Sequence, residues 1–134
     1  MSESLRFVCE KSNRSATDNG TYVEAVMNAC RDYSAFENFK RHPHYQQVLE
    51  HVNEADGQKY LDIIAKQSPD FLKIIEKFRQ NDLIGNPVTF NYKDIGQISP
   101  TTLRYMKVAS DIRQYFGTNI GPKIAEIGVG YGGQ

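Results

Sequence analysis

The chain has 134 residues, a length that suits one domain with its own core better than two. Hydrophobic residues make up 40% of it, which argues against wholesale disorder. Sixteen basic residues balance sixteen acidic ones, whereas binding to nucleic acid or to an anionic membrane surface normally requires a cationic excess. We therefore expect no nucleic-acid partner.

The amino-terminal stretch, residues 1–19, is polar and predicts a loose arm. Its one apolar patch, formed by Leu5, Phe7 and Val8, is interrupted by charged residues and lacks the continuous apolar core of a signal peptide. No run in the chain approaches the ~18–20 apolar residues that span a bilayer. These features predict a cytoplasmic protein without a membrane span.

The metal-binding and nucleophilic residue types are few. Cys9 and Cys30 have the spacing of neither a disulfide framework nor a metal site, so we expect two free thiols, with Cys30 buried on a helix face. His42 and His44 flank a proline, and His51 follows His44 by two helical turns, which is too far for one ion without other ligands. Surface or capping histidines, and no metal, are the prediction.

Apolar residues recur at helical spacing from Tyr22 onward, which predicts a mainly α-helical chain. We expect their aromatic members to pack in the core, with contact to a sugar or a partner as the alternative. The predicted apolar faces are Tyr22, Val23, Val26, Met27 and Cys30; Tyr45, Val48, Leu49 and Val52; Tyr60, Leu61, Ile63 and Ile64; and Phe71, Leu72, Ile74, Ile75 and Phe78.

Capping residues predict where these helices begin and end. Ser34–Glu37 fits a capping box, with Phe36 and Phe39 as its buried side chains. Asp56 is a candidate cap for the next helix, and Ser68 followed by proline predicts a further helix start. The last helix of this series is expected to end at Gly85-Asn86-Pro87.

The segment after this point is predicted to be extended and then helical. Val88–Tyr92 is β-prone but short, so we expect extended chain without a firm expectation that it joins a sheet. Ser99-Pro100 repeats the cap-and-proline pattern and predicts a helix that ends at Gly117. Its predicted apolar stripe is Leu103, Met106, Ile112, Tyr115 and Phe116. On this helix we expect the Arg104 side chain to be solvated and the Tyr105 side chain to be packed. The alternative is that both side chains reach the mouth of a pocket.

The domain organisation predicted from these patterns has three parts. Residues 1–19 form the arm, residues 20–98 a helical domain, and residues 99–134 the start of an α/β domain. In this last part the apolar run Lys123–Ile127 suits a buried parallel strand, and four of the last seven residues are glycines. A strand that ends in glycines is typical of loops whose backbone N–H groups bind a ligand.

Two classes of cofactor fit this loop. Gly128, Gly130 and Gly133 satisfy the dinucleotide pattern G-x-G-x-x-G, whereas Glu126, Gly128, Gly130 and Gly132 satisfy the methyltransferase pattern acidic-x-G-x-G-x-G. A carboxylate at position 126 would repel a pyrophosphate but would favour the ammonium and sulfonium groups of S-adenosylmethionine. The methyltransferase interpretation is therefore preferred, with a dinucleotide-binding fragment or an incidental glycine-rich tail on a helical interaction module as alternatives.

The segments that carry a family resemblance are Ser99–Tyr105, Phe116-Gly117, Glu126–Gln134 and the upstream Gly85-Asn86-Pro87. From Gly85 onward the chain resembles a family of bacterial sugar O-methyltransferases, which are class I S-adenosylmethionine-dependent enzymes with a Rossmann-like domain. The resemblance implies that Gly128, Gly130 and Gly132 line the methionine end of the cofactor, with Glu126 near its ammonium group. It also implies a sugar or glycan acceptor.

The sequence stops at Gln134, whereas the resemblance implies a complete sheet, a ribose-binding acidic residue and a catalytic base beyond it. We therefore expect a truncated methyltransferase domain that is inactive alone, and we can assign no catalytic residue. Without its neighbours, the Lys123–Ile127 strand is expected either not to form or to pair across the interface of a homodimer.

Overall fold

The computed structural model describes residues 20–117, 121 and 123–125. This part of the chain is mainly helical and contains a small antiparallel sheet, which confirms the mainly α class. The α-helices are α1 (Thr21–Arg31), α2 (Tyr33–Glu37), α3 (Pro43–Val48), α4 (Glu54–Gln67), α5 (Ile75–Arg79) and α6 (Pro100–Phe116), and the strands are β1 (Phe90–Tyr92) and β2 (Gly96–Ile98). Segments of 3-10 helix at Phe39–Arg41, Pro69–Ile74 and Gln80–Leu83 connect them.

Helix α1 buries a narrower face than its sequence predicted. Ala25 is buried, whereas Val23 and Met27 are 40% and 43% exposed. Cys30 is a free thiol, but it is exposed, so its predicted burial was wrong. Tyr22 of α1 packs against Tyr45 of α3, with the centres of the two rings 5.6 Å apart. Part of the predicted apolar stripe of α1 is therefore exposed to solvent.

Helix α2 begins two residues earlier than the predicted capping box. The carboxylate of Asp32 accepts a hydrogen bond from the Ala35 N–H at 2.7 Å, so Asp32 is the cap and Ser34 lies inside the helix. An aspartate in extended conformation is among the strongest N-caps, and it prevails here over the serine. Phe39 is buried as predicted, but Phe36 is 48% exposed, which contradicts its predicted burial.

Helices α3 and α4 are capped by side chains that immediately precede them. His42 caps α3, whose first residue is Pro43, and so takes one of the two roles predicted for the histidines. Helix α4 is capped by Asn53, whose Oδ1 accepts from the Asp56 N–H at 2.9 Å, and not by Asp56 as predicted. Asp56 instead accepts a hydrogen bond from Nδ2 of Asn53 at 2.8 Å, which makes the pair reciprocal.

The Ser68-Pro69 signal produces a 3-10 segment, and α-helical geometry begins only at Ile75. The Ser68 side chain makes no capping hydrogen bond, and its Oγ accepts a hydrogen bond from the Ser110 hydroxyl of α6 at 2.7 Å. Phe71 and Ile75 are buried, whereas Ile74 is exposed. The tertiary contact thus replaces the local cap that the sequence predicted.

The β-prone segment forms the first strand of a hairpin. Strand β1 pairs with β2 in antiparallel register, with Phe90 opposite Ile98. Arg79 contacts the hairpin from α5. Its guanidinium donates hydrogen bonds to the backbone oxygens of Gln97 and Ile95, the latter at 2.7 Å. The second strand was missed because it has three residues and begins with Gly96.

Helix α6 begins as predicted. The Ser99 hydroxyl accepts a hydrogen bond from the Thr102 N–H at 3.1 Å, and Pro100 occupies the first turn. The helix ends at Gly117, whose φ of 54° is readily adopted by glycine. Only the amino half of the predicted stripe is buried, at Leu103 and Met106. The carboxyl half, Ile112, Tyr115 and Phe116, is exposed, so this part of the predicted stripe was wrong.

One apolar cluster joins the middle and the end of the described chain, and α6 packs along α4 within it. Residues on both sides of the division predicted at residue 98 contribute to this cluster. Its buried members are Leu61, Ile64, Phe71, Ile75, Tyr92, Ile98, Leu103 and Met106.

Candidate functional site

The predicted cofactor residues Glu126, Gly128, Gly130 and Gly132 lie outside the described residues, as does the predicted arm at 1–19. The three described positions at 123–125 of the predicted strand have neither helix nor strand geometry. Ile124, which would be buried in a complete sheet, is 76% exposed. Positions 126 and 127 lie outside the described residues, so the expectation that the Lys123–Ile127 strand either does not form or pairs across a homodimer stays a prediction.

The described residues contain a partly buried polar cluster at the amino end of α6. We call it the α6 polar cluster and define it as Lys40, Glu50, Asp82, Thr101 and Arg104. Lys40 and Asp82 come from two 3-10 segments, Glu50 follows α3, and the other two lie in the first turns of α6. The cluster therefore joins segments that are far apart in sequence.

Lys40 is the most deeply buried charged residue of this cluster, with no exposed surface. Its Nζ donates a hydrogen bond to the backbone oxygen of Asn81 at 2.7 Å. Burial lowers the pKa of the Lys40 ammonium, and the negative charges of Glu50 and Asp82 act in the opposite direction. A buried ammonium with these partners fixes the position of the segment that follows α5.

Glu50 has the least satisfied side chain of the cluster. Its Oε1 atom is buried and has no hydrogen-bond partner among the described residues. Burial raises the pKa of the Glu50 carboxyl, against the opposing effects of a hydrogen bond with Thr101 and the charges of Lys40 and Arg104. A carboxyl group of this kind can exchange a proton closer to neutral pH than an exposed one.

Asp82 connects the cluster to the cap of α6. Its carboxylate accepts hydrogen bonds from the hydroxyls of Ser99 and Thr102, at 2.7 Å and 2.6 Å. The Thr102 hydroxyl in turn accepts from the Asn81 side-chain amide at 2.7 Å. The Ser-Pro-Thr-Thr sequence that begins α6 is thus held by a polar network from the preceding segment, which no local pattern predicts.

The two α6 residues considered for a pocket mouth differ in exposure. Tyr105 is buried, which confirms its predicted packing, and Arg104 is partly exposed. The Arg104 guanidinium lies 5.3 Å from the centre of the Tyr105 ring. Its charge also acts on Glu50, so Arg104 belongs to the polar cluster and is more than a solvated side chain.

A second feature is an apolar groove beside α1, which we call the α1 groove. It is open to solvent, and its volume is about 230 Å³. Phe39 and Tyr45 form one wall, with their rings 4.8 Å apart and nearly perpendicular. The residues that line it are Tyr22, Val26, Ala29, Cys30, Phe36, Phe39 and Tyr45.

Within the part of the chain that the structure describes, no group of three or more potential ligands is arranged to hold a metal ion. The His42 and His44 rings contact each other edge to face, with centres 5.2 Å apart, and His51 Nδ1 lies 3.2 Å from the Val48 oxygen. None of the described helices has the length and apolar character needed to cross a membrane.

Comparison of the chain with known proteins finds no matching family model, no matching curated protein and no matching solved structure. The functional argument therefore depends on the residues themselves.

Proposed function

We propose that this chain is the amino-terminal part of an S-adenosylmethionine-dependent sugar O-methyltransferase and is inactive alone. The observation that carries the proposal is the sequence Glu126-Ile127-Gly128-Val129-Gly130-Tyr131-Gly132, which follows an apolar run. Glycines let a ligand approach the backbone, and a carboxylate at this spacing favours a cationic ligand.

The described structure supports one premise of the proposal. The Ser99-Pro100 signal, which belongs to the family resemblance, begins a long helix, and Phe116-Gly117 ends it, shortly before the glycine segment. A helix followed by a strand and a glycine loop is the order in which a Rossmann-like domain presents its cofactor loop. We propose that the residues after Gly117 begin such a domain.

In the proposed enzyme, Gly128, Gly130 and Gly132 would line the methionine end of the cofactor, and Glu126 would lie near its ammonium group. S-adenosylmethionine would supply the methyl group to a sugar hydroxyl. The protein would hold that hydroxyl in line with the methyl group and accept its proton. The residue that accepts the proton is not assigned.

The test is a calorimetric titration of the full-length protein with S-adenosylmethionine and, separately, with NAD. We expect binding of S-adenosylmethionine only, and loss of that binding in Gly130→Val, because the added side chain would occupy the space through which the ligand approaches. The matched control is Gly121→Val, since a Cβ atom there meets no other atom within 4 Å.

Binding of NAD instead would favour the dinucleotide alternative. Binding of neither ligand by a folded full-length protein would favour the helical interaction module. Unchanged affinity in Gly130→Val would remove this glycine from the site. The 134-residue chain by itself is expected to bind S-adenosylmethionine weakly or not at all, because it supplies only one wall of the pocket.

A further inference from the structure

The α1 groove is an apolar depression with solvent on its open side. Contiguous apolar surface of this kind usually marks a contact with another segment or molecule. We propose that the groove binds the apolar patch of the same chain's arm, Leu5, Phe7 and Val8. This inference is independent of the proposed function, since it concerns the other end of the chain.

The first argument is reach. The described chain begins at Gly20, immediately before α1, and Tyr22 in the first turn already lines the groove. From the first turn of α1 to Cys30 the helix rises about 14 Å, at 1.5 Å per residue. The residues between Cys9 and Gly20 can span more than about 30 Å when extended. The arm is therefore long enough to lie along the whole groove.

The second argument is composition. Residues 1–19 are otherwise polar, and their apolar side chains are concentrated in the patch of Leu5, Phe7 and Val8. The groove presents aromatic and aliphatic side chains, of which Phe36 is 48% exposed. Covering such surface with apolar side chains contributes about 25 cal/mol per Å². The apolar side chains of the arm can therefore cover the apolar surface that the groove exposes.

The third argument is tethering. The arm is joined covalently to α1, and a segment tethered beside its binding site has an effective concentration in the millimolar range. A second copy of the chain at micromolar concentration competes poorly with it. The arm is therefore a more favourable occupant than a second molecule with the same apolar patch.

The two cysteines supply a means of testing the contact. Cys30 lines the groove and is exposed, and Cys9 follows Val8 directly. Cys9 follows Leu5 by four residues. Alternate residues share a face in an extended segment, and residues four apart share a face in a helix, so Cys9 and Leu5 would share a face in either conformation. A bound arm would thus bring the two thiols close together.

The first experiment measures the reactivity of Cys30 in the 134-residue chain carrying Cys9→Ser, which leaves one thiol. A bound arm shields Cys30 from alkylation by iodoacetamide, so adding Phe7→Ser should raise the alkylation rate by about fivefold or more. Lys11→Ser, also in the arm but outside the apolar patch, is the matched control and should leave the rate unchanged. An equal rate in the Phe7 and Lys11 variants would overturn the proposal.

The second experiment uses a short bis-maleimide on the chain with both cysteines. We expect an intramolecular cross-link between Cys9 and Cys30 that is lost in Phe7→Ser and weakened in Val26→Ser, on the groove side of α1. Val23→Ser, on the exposed side of the same helix, should cross-link normally. Predominantly intermolecular cross-links, rising with protein concentration, would identify a second copy as the occupant and contradict the proposal.

Discussion

The carboxylate of Asp82 accepts hydrogen bonds from both the backbone N–H and the hydroxyl of Ser99, each at 2.7 Å. Asp82 belongs to the 3-10 segment after α5, and Ser99 is the cap of α6. One acidic side chain thus holds the serine that caps the longest described helix. The same carboxylate belongs to the α6 polar cluster, so the cap and the cluster form one network.

We expect Asp82→Ala to lower the free energy of unfolding by about 3 kcal/mol, because it removes an ionised acceptor and leaves buried donors without partners. Asp82→Asn, which keeps one acceptor oxygen, should cost less. Urea denaturation measures both. Asp62→Ala is the control, since Asp62 is exposed and accepts one hydrogen bond, from Gln58 at 2.8 Å. Equal stability of the two alanine variants would show that the network does not hold α6.

Gly57 lies inside α4, where replacing glycine by alanine normally stabilises a helix by about 1 kcal/mol. Here the added Cβ would overlap the hydroxyl of Tyr92 and lie 3.1 Å from Pro100 Cβ. Tyr92 is 3% exposed, so its ring has little room to move. We expect Gly57→Ala to destabilise the protein by about 1–3 kcal/mol, the usual cost of overpacking.

The measurement is thermal or urea unfolding of Gly57→Ala with Gly121→Ala as the control, since nothing lies within 4 Å of a Cβ at position 121. A stabilising effect of Gly57→Ala would contradict the close packing of α4 against β1.

Tyr92 itself donates a hydrogen bond to the Glu54 oxygen at 3.2 Å, and burial raises the pKa of its phenol to about 12. The phenol therefore stays protonated, and keeps donating, throughout the neutral range.

Burial raises the pKa of the Glu50 carboxyl above its ordinary value of 4.5. The folded state therefore binds the Glu50 proton more tightly than the unfolded state. The stability that the protonated carboxyl contributes is present below pH 4.5 and is lost as pH rises through the pKa of the folded state. Glutamine does not titrate. We expect the stability of Glu50→Gln relative to wild type to increase as pH rises from about 4.5 toward neutrality.

Urea denaturation of both proteins across this pH range measures the difference. The matched control is Glu24→Gln, which makes the same substitution at an exposed position on α1. A relative stability of Glu50→Gln that stays constant or falls with rising pH would contradict the burial of this carboxyl.

Local signals predicted α6 well and its surroundings poorly. Ser99-Pro100 and Gly117 fixed both ends of the helix in advance because capping is a property of neighbouring residues. Ser68-Pro69 has the same local chemistry, yet Ser68 accepts a hydrogen bond from Ser110 and the segment is a 3-10 helix. Tertiary hydrogen bonding of this kind has no signature in a short window of sequence.

The α6 polar cluster was not predicted for a related reason. Lys40, Glu50 and Asp82 lie in separate segments, and each has the sequence context of an ordinary surface charge. Contacts between distant segments bring them together, such as the hydrogen bond from Lys40 Nζ to the backbone oxygen of Asn81. The glycine segment could be recognised because its residues are adjacent in sequence, but positions 126–134 lie outside the described residues and the cofactor stays a prediction.

The most direct test of the proposed function is the affinity of the full-length protein for S-adenosylmethionine when Glu126 is changed to glutamine. The substitution keeps the size of the side chain and removes the charge that favours the cofactor's ammonium group. We expect the dissociation constant to rise about tenfold or more, which corresponds to about 1.4 kcal/mol, while Glu24→Gln leaves it unchanged. Equal affinity of Glu126→Gln and wild type for S-adenosylmethionine would contradict the assignment of this loop to S-adenosylmethionine.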